Sequence, residues 1–223
     1  MSPRLADPGV RSALLDTAAR LIAVDGSAGL TLRRLVEEVG TSTMAVYTHF
    51  GGMQNLRQEI RLEGFARLKA HLEAVPPGSD PLSDIALLGR AYYDNAIENP
   101  HMYRVMFLET HEPAEDLIGL DTFQILVDCV ARCVEAGRFD AAQPFDLAIQ
   151  LWATAHGLVS LQLAGLLSAE LAAEMLVAGQ RSLLLAFGAD GRALTRALGR
   201  ANRNRGAPPR ASRRELGSAT PRV

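Results

Sequence analysis

The residues of this 223-residue chain best suited to a chemical task lie just after Ser42, where Thr43, Met44, Ala45, Tyr47, Thr48 and His49 take the outward positions of a short helix. Its inward positions are Val46 and Phe50. Small or slender groups at the start of such a helix let it lie close against base edges in a duplex major groove. Thr43 and Thr48 suit hydrogen bonds to bases, and Met44 and Ala45 suit contact with a thymine methyl. Tyr47 and His49 suit donation to phosphate oxygens, which positions a protein without reading sequence. Upstream, Thr31 and the amides that follow it form an anion site of the helix-terminus kind, with Arg33 in the same turn. Thr31, Arg33 and the cap Ser42 therefore join the candidate DNA-binding set. A solvated surface helix would carry similar residues; the two-helix pattern around them favours DNA.

The other chemically able groups are weaker. Cys129 and Cys133, the only cysteines, stand four apart within an apolar run, and two further ligands at metal spacing are missing. They are expected to be core packing. His101, Glu109, His111 and Glu112 surround a loop at spacings that fit no common metal site, so exposed loop residues are the expectation. Trp152 and His156 project from one helix face. They are either core, with a structural histidine, or part of a ligand cavity in which few polar groups fix orientation among apolar walls. Tyr92, Tyr93, Met102, Tyr103, Met106 and Phe107 are the other candidate ligand-binding residues. No phosphate loop, dinucleotide-type glycine run or metal quartet occurs, so neither catalysis, a metal nor a cofactor is expected.

These residues must be positioned by helices, because apolar residues recur at three- and four-residue spacing nearly throughout and no useful strand-like alternation occurs. A first helix is expected over residues 10–24, capped by Asp7 with Pro8 at its first position. Leu14, Ala18, Leu21 and Ile22 form its inward stripe. A second covers 32–39, and a third runs from Ser42 to about Phe50. Three residues separate them, which is helix-turn-helix spacing. Gly51 and Gly52 break the chain before a long helix over 53–74, which Pro76, Pro77 and Gly78 end. Further helices are expected over 81–98, with Asp80 as cap, and over 101–108, 117–135, 144–166 and 168–187. The expected fold is all-α, of about nine helices. A three-helix helix-turn-helix domain (8–52) leads through a connecting helix (53–75) to a larger ligand-binding and dimerisation domain (80–188). An Arg-rich tail from 201 to 223 is expected to be disordered.

The formal charge of −2 conceals an asymmetry. Residues 1–188 sum to −9 and residues 189–223 to +7, with nine arginines in the latter. Within 1–75 the nine basic and eight acidic residues nearly balance, which a DNA face requires only locally. The longest apolar tract, 151–167, contains Thr154, His156, Ser160 and Gln162 and reads as a buried helix, not a membrane span. Residues 1–10 lack the apolar centre of a signal peptide, so the cytoplasm is the expected location.

Residues 30–50, LTLRRLVEEVGTSTMAVYTHF, resemble the DNA-binding region of the TetR family of bacterial regulators. The match includes Gly26, Thr31, the Leu35–Val36 pair, Gly40, Ser42, Val46, Tyr47, His49 and Phe50. The stretches ENPHMYRVMF at 98–107 and LWATAHGLVSLQLAG at 151–165 resemble a C-terminal class of that family named for Trp, His and Gly, here Trp152, His156 and Gly157. The family's lysine at the start of the fourth helix is replaced here by Met53, which implies fewer phosphate contacts and a shallower salt dependence. The last two body helices are apolar on more than one face, the usual mark of an oligomer surface. Leu158, Leu161, Gly165, Met175, Leu176, Gln180 and Leu183 are the candidate dimer contacts. Gly165 is expected to admit a close partner helix, and Gln180 to hydrogen-bond across the contact. The resemblance implies a four-helix bundle across a two-fold axis. It also implies a roughly palindromic double-stranded operator and a repressor released by an as yet unidentified small molecule. A constitutive DNA-binding factor without such a switch is the alternative.

Overall fold

The computed structural model of the chain describes residues 7–107 and 118–203. The described residues form ten α-helices and no strand: α1 (Pro8–Asp25), α2 (Leu32–Val39), α3 (Thr43–Phe50), α4 (Met53–Glu73), α5 (Pro81–Glu98), α6 (Pro100–Phe107), α7 (Leu120–Glu135), α8 (Pro144–Leu163), α9 (Ala169–Ala186) and α10 (Gly191–Arg203).

Local chemistry sets the first three. Asp7 Oδ1 accepts from the Gly9 amide at 2.9 Å, with Pro8 at the first helical position. Thr31 Oγ1 caps α2 through the Arg34 amide, and Ser42 Oγ caps α3 through the Ala45 amide. Gly40 ends α2 at φ 71°, ψ 36°, the left-handed conformation that lets the chain turn sharply into α3. The three-residue turn is thus built by one glycine and one serine cap.

Gly52, between α3 and α4, has φ 142° and ψ −179°, a region essentially closed to residues with a Cβ. The nearest atom to a Cβ built there is Tyr47 Cε1 at 3.8 Å, so space is not the obstacle. Gly52→Ala is therefore expected to cost about 1–3 kcal/mol through backbone strain alone. Urea unfolding checks this: a midpoint unchanged at constant slope would mean that the turn relaxes freely.

Two apolar clusters form. The N-terminal one joins Leu14, Ala18, Leu21 and Ile22 to Leu35, Val36, Val46, Phe50, Leu56 and Ile60. The larger one gathers residues of α4 to α10. Two helices serve both. α4 places Leu56 and Ile60 in the first and Leu68 and Leu72 in the second. α6 places Met102 and Val105 in the first and Tyr103 and Met106 in the second. Arg67 of α4 binds Asp16 of α1 at 2.8 Å and Asn99, before α6, at 3.0 Å. Together with Arg11–Glu59 at 2.6 Å, it ties α1 to α4.

Three expectations are corrected. Asp80 occupies the position before α5, but its carboxylate accepts from Ser83 Oγ at 2.8 Å and pairs with Arg200 instead of capping a backbone amide. α10 lies beyond the helices expected from the sequence and extends into the segment expected to be a tail. Asp190 Oδ1 accepts from the Ala193 amide at 2.8 Å, and Leu194, Ala197 and Leu198 are buried against the body. The arginines between them mask a short apolar stripe. The rest of that tail, 204–223, lies outside the described residues, as do Glu109, His111 and Glu112, expected in a loop. Lastly, Gly165 lies outside α8, which was expected to run to 166. It follows the end of α8 at φ 75°, its amide donating to the Gln162 carbonyl at 2.9 Å.

Candidate nucleic-acid interface and internal cavity

α3 is pinned from beneath by Val46 (0% exposed) and Phe50, which turns most of its remaining side chains outward. Thr31, Arg33, Ser42, Thr43, Met44, Tyr47 and Thr48 are all exposed, with Met44 at 68% and Tyr47 at 55%. Ala45 and His49 are half-buried. Ala45 packs against the N-terminal cluster, and the His49 ring lies 5.9 Å from that of Phe50. Two members are already engaged. Thr48 Oγ1 donates to the Met44 carbonyl at 2.8 Å, which leaves its oxygen as an acceptor only. Arg33 Nε pairs with Glu37 at 2.8 Å, an exposed contact that a phosphate readily replaces.

Gln54 and Asn55, in the first turn of α4 after Gly52, are exposed amide side chains, and Asn55 Nδ2 lies 3.3 Å from a Cβ built on Gly51 at the end of α3. They supply donors near the place where Met53 stands. Their polarity, one residue after two glycines, is the available signal.

The second feature is a cavity of about 290 Å³, partly open, bounded by α4, α5, α6, α7, α8 and α9. Phe65, Tyr92, Phe107, Phe123, Phe145 and Trp152 supply its aromatic walls, and Thr122 and Gln180 its other polar side chains. Rings run in sequence from Tyr103 to Phe107 (5.0 Å), Trp152 (6.1 Å), Phe123 (6.0 Å) and Phe145 (5.6 Å). Behind the wall, Tyr103 Oη lies 2.6 Å from His156 Nδ1, and Tyr92 Oη lies 3.1 Å from the same nitrogen.

Of the residues expected around a cavity, Tyr92, Phe107 and Trp152 line this one. Tyr103 and His156 stand one layer behind. Tyr93 turns away and donates its hydroxyl to Gln162 Oε1. Met102 belongs to the N-terminal cluster, and Met106 fills the gap over Gly64, where a Cβ would come within 2.6 Å of its sulfur. These last three are not cavity walls: the faces of α5 and α6 that carry them meet other helices. Phe65, Phe123, Phe145 and Gln180 are walls that sequence patterning missed, because an apolar residue facing a cavity looks like one facing the core.

Burial lowers the pKa of His156 and raises those of Tyr92 and Tyr103, each by penalising the charged form. The unfolded chain then binds a proton at His156 near pH 6.5 while the folded chain resists it to lower pH. Stability linked to this residue is full above about pH 6.5 and is lost as pH falls below it. The melting temperature of the wild type should therefore fall more between pH 7 and 5 than that of His156→Gln. Parallel curves would contradict a buried neutral imidazole. Cys129 and Cys133 are buried, and their thiols are pushed up to about 12 by desolvation, consistent with packing and not with reactivity.

On α8 and α9, Leu161 (43%) and Met175 (37%) are exposed, while Leu158 and Leu183 are half-buried against the larger cluster. Leu176 and Gln180 are corrected: at 3% and 6% exposure they point into the protomer and are not contacts for a second chain. Leu166, Leu171 and Leu185 are further exposed apolar residues in or beside these helices. No helix among the described residues is long and apolar enough to cross a membrane.

The chain is similar to known proteins along most of its length. Residues 14–60 match the family described as bacterial regulatory proteins, tetR family, and residues 85–180 match the tetracyclin repressor-like C-terminal domain. The uncharacterized HTH-type transcriptional regulator YobS of Bacillus subtilis is 27% identical over 119 residues, spanning 53% of this chain and 61% of that relative. A solved structure of a protein of unknown function from a Rhodococcus species is 27% identical. It covers 83% of this chain and 99% of its own, with a TM-score of 0.69. The TetR family transcriptional regulator PfmR from Thermus thermophilus shares the fold at 22% identity and a TM-score of 0.65, over 77% of this chain and 97% of its own. Two matched models, one over the helix-turn-helix and one over most of the cavity-bearing body, together establish that the chain belongs to the TetR family of bacterial regulatory proteins.

Proposed function

We propose that the chain acts as a homodimeric repressor that binds a roughly palindromic operator and is released from it by a small molecule held in the internal cavity. The observation that carries this reading is the outward face of α3: a capped, two-turn helix anchored by Val46 and Phe50 presents slender side chains to solvent. In this reading residues 8–52 form the DNA-binding unit, 53–75 the connection, and 80–188 the ligand-binding and dimerisation body. Thr43 and Met44 face base edges, while Tyr47, His49 and the amides of Gln54 and Asn55 face phosphates. Leu161 and Met175 meet their counterparts across the two-fold axis.

The route from cavity to α3 follows from the two shared helices. Phe107 and Phe65 line the cavity from α6 and α4. On the same two helices, Met102, Val105, Leu56 and Ile60 are embedded in the N-terminal cluster. A ligand that displaces the two phenylalanine rings therefore moves helices on which α1 and α3 rest. In a dimer, a small tilt of α4 changes the separation of the two α3 helices. A coupling of about 1–3 kcal/mol gives roughly a 5- to 150-fold loss of affinity.

The test joins a thermal-shift screen of small molecules with duplex-binding titrations at fixed salt. A compound at about one hundred times its dissociation constant adds about 2.7 kcal/mol of stability. Compounds that do so should also weaken duplex binding. If stabilising compounds leave duplex affinity unchanged, the constitutive reading takes its place.

A further inference from the structure

Gln180 is a polar side chain of the cavity held by a single long hydrogen bond inside the protomer. It is 6% exposed, yet its amide makes one long donation, from Nε2 to the Ile85 carbonyl at 3.4 Å. Gly89 makes room for it, since a Cβ at 89 would stand 1.8 Å from that nitrogen. A backbone carbonyl only accepts, so the amide nitrogen faces Ile85 and Oε1 is turned from it. Among the described residues no donor meets Oε1. On the cavity wall and without a donor among the described residues, Oε1 is placed to accept a hydrogen bond from a ligand.

The remaining wall selects against charge. Among the described residues no Asp, Glu, Lys, Arg or His lines the cavity, and the Tyr92 hydroxyl is engaged with Tyr103 and His156. An ion entering would lose part of its hydration, with no counter-charge among the described residues to replace it. The size is also informative. A cavity of about 150 Å³ takes one benzene, and this one, near 290 Å³, has room for about two rings. Phe107, Trp152 and Phe123 offer ring faces and edges along it.

We propose that the cavity takes an uncharged hydrophobe of about two fused rings that bears one O–H or N–H group, and that Gln180 Oε1 accepts the hydrogen bond from that group. The proposal rests on reading the cavity as the effector site. It makes Gln180, placed by sequence reasoning at a dimer contact, a residue that determines ligand choice.

The test is calorimetric titration of the full chain with 2-naphthol, naphthalene, 2-methoxynaphthalene and 2-naphthoate. The expected order places 2-naphthol first, with naphthalene and the methyl ether weaker by roughly 2- to 12-fold, the worth of one hydrogen bond. Naphthoate should bind at least roughly 100-fold more weakly than 2-naphthol. Gln180→Met should bring 2-naphthol down to the affinity of naphthalene and leave naphthalene within about twofold, with Gln180→Leu serving if the first variant does not fold. Naphthoate binding as tightly as 2-naphthol, no binding by any of the four, or an unchanged preference in a folded variant would each overturn the proposal. Duplex titrations with 2-naphthol separate the two readings. Binding in the expected order without any change in duplex affinity supports the ligand class and sinks the switch.

Discussion

Alanine at both Tyr47 and His49 is expected to weaken duplex binding on the order of 100-fold at fixed salt, since each removed donor to a charged phosphate is worth about 1.5–3 kcal/mol before water compensates. Both side chains sit on the open side of α3, and Tyr47 is 55% exposed with no partner that folding requires. The loss should be uniform across duplex sequences, because phosphate contacts orient a protein without reading bases. Thr43→Ala and Met44→Ala should behave differently, relaxing the preferred sequence at one or two positions by about 1–3 kcal/mol. Circular dichroism must show folded variants. His49 lies against Phe50, so Tyr47→Phe, which deletes one hydroxyl and leaves packing alone, provides the clean control. Undiminished affinity in the folded double variant would remove α3 from the interface.

The second large effect is expected on assembly. Glutamate at both Leu161 and Met175 should convert the chain to a monomer at micromolar concentration and lower duplex affinity by roughly 10²- to 10⁴-fold, the advantage that linked half-sites confer. These two residues are 43% and 37% exposed in the protomer, so the new carboxylates reach water in a monomer and meet each other only in a dimer. Helical content should be retained. Leu176→Glu is the contrast: at 3% exposure it buries a charge within the protomer and should unfold it. Sedimentation distinguishes the cases. A doubly substituted chain that remains dimeric would move the interface elsewhere.

The parts of this molecule that sequence foretold are those specified by neighbouring residues. Asp7, Thr31 and Ser42 each cap a helix from within three positions of the amide they bind, and Gly40 closes α2 one residue past its end. The helix-turn-helix is therefore written locally, and its outward residues follow from 3.6-residue periodicity once Val46 and Phe50 are assigned inward. The cavity is written differently. Phe65, Tyr92, Phe123, Trp152 and Gln180 come from five helices, and only tertiary packing decides that they surround a space instead of filling one. Gln180 reads as an interface residue because one polar group in an apolar helix is compatible with either role. Met102 and Met106 group with Phe107 in the sequence because periodicity cannot tell which of α6's two buried faces meets which core. Leu194, Ala197 and Leu198 are hidden by the arginines between them, although their spacing is helical.

This same two-faced character of α6 supports the proposed switch: its Phe107 end borders the cavity, while Met102 and Val105 lie in the N-terminal cluster. The Arg67 pairs with Asp16 and Asn99 join α4 to α1 and to the residue before α6. They are partly exposed, so they set geometry more than they add stability.

The most direct measurement is selection of bound fragments from random duplex DNA by the purified full chain at stated salt. Two α3 helices carried by mated subunits should enrich an inverted repeat whose half-sites lie about 34–36 Å apart, one helical turn, or a multiple of it. Recovery of no shared sequence, or of a single half-site with no symmetric companion, would contradict the paired, outward-facing α3 on which the account depends.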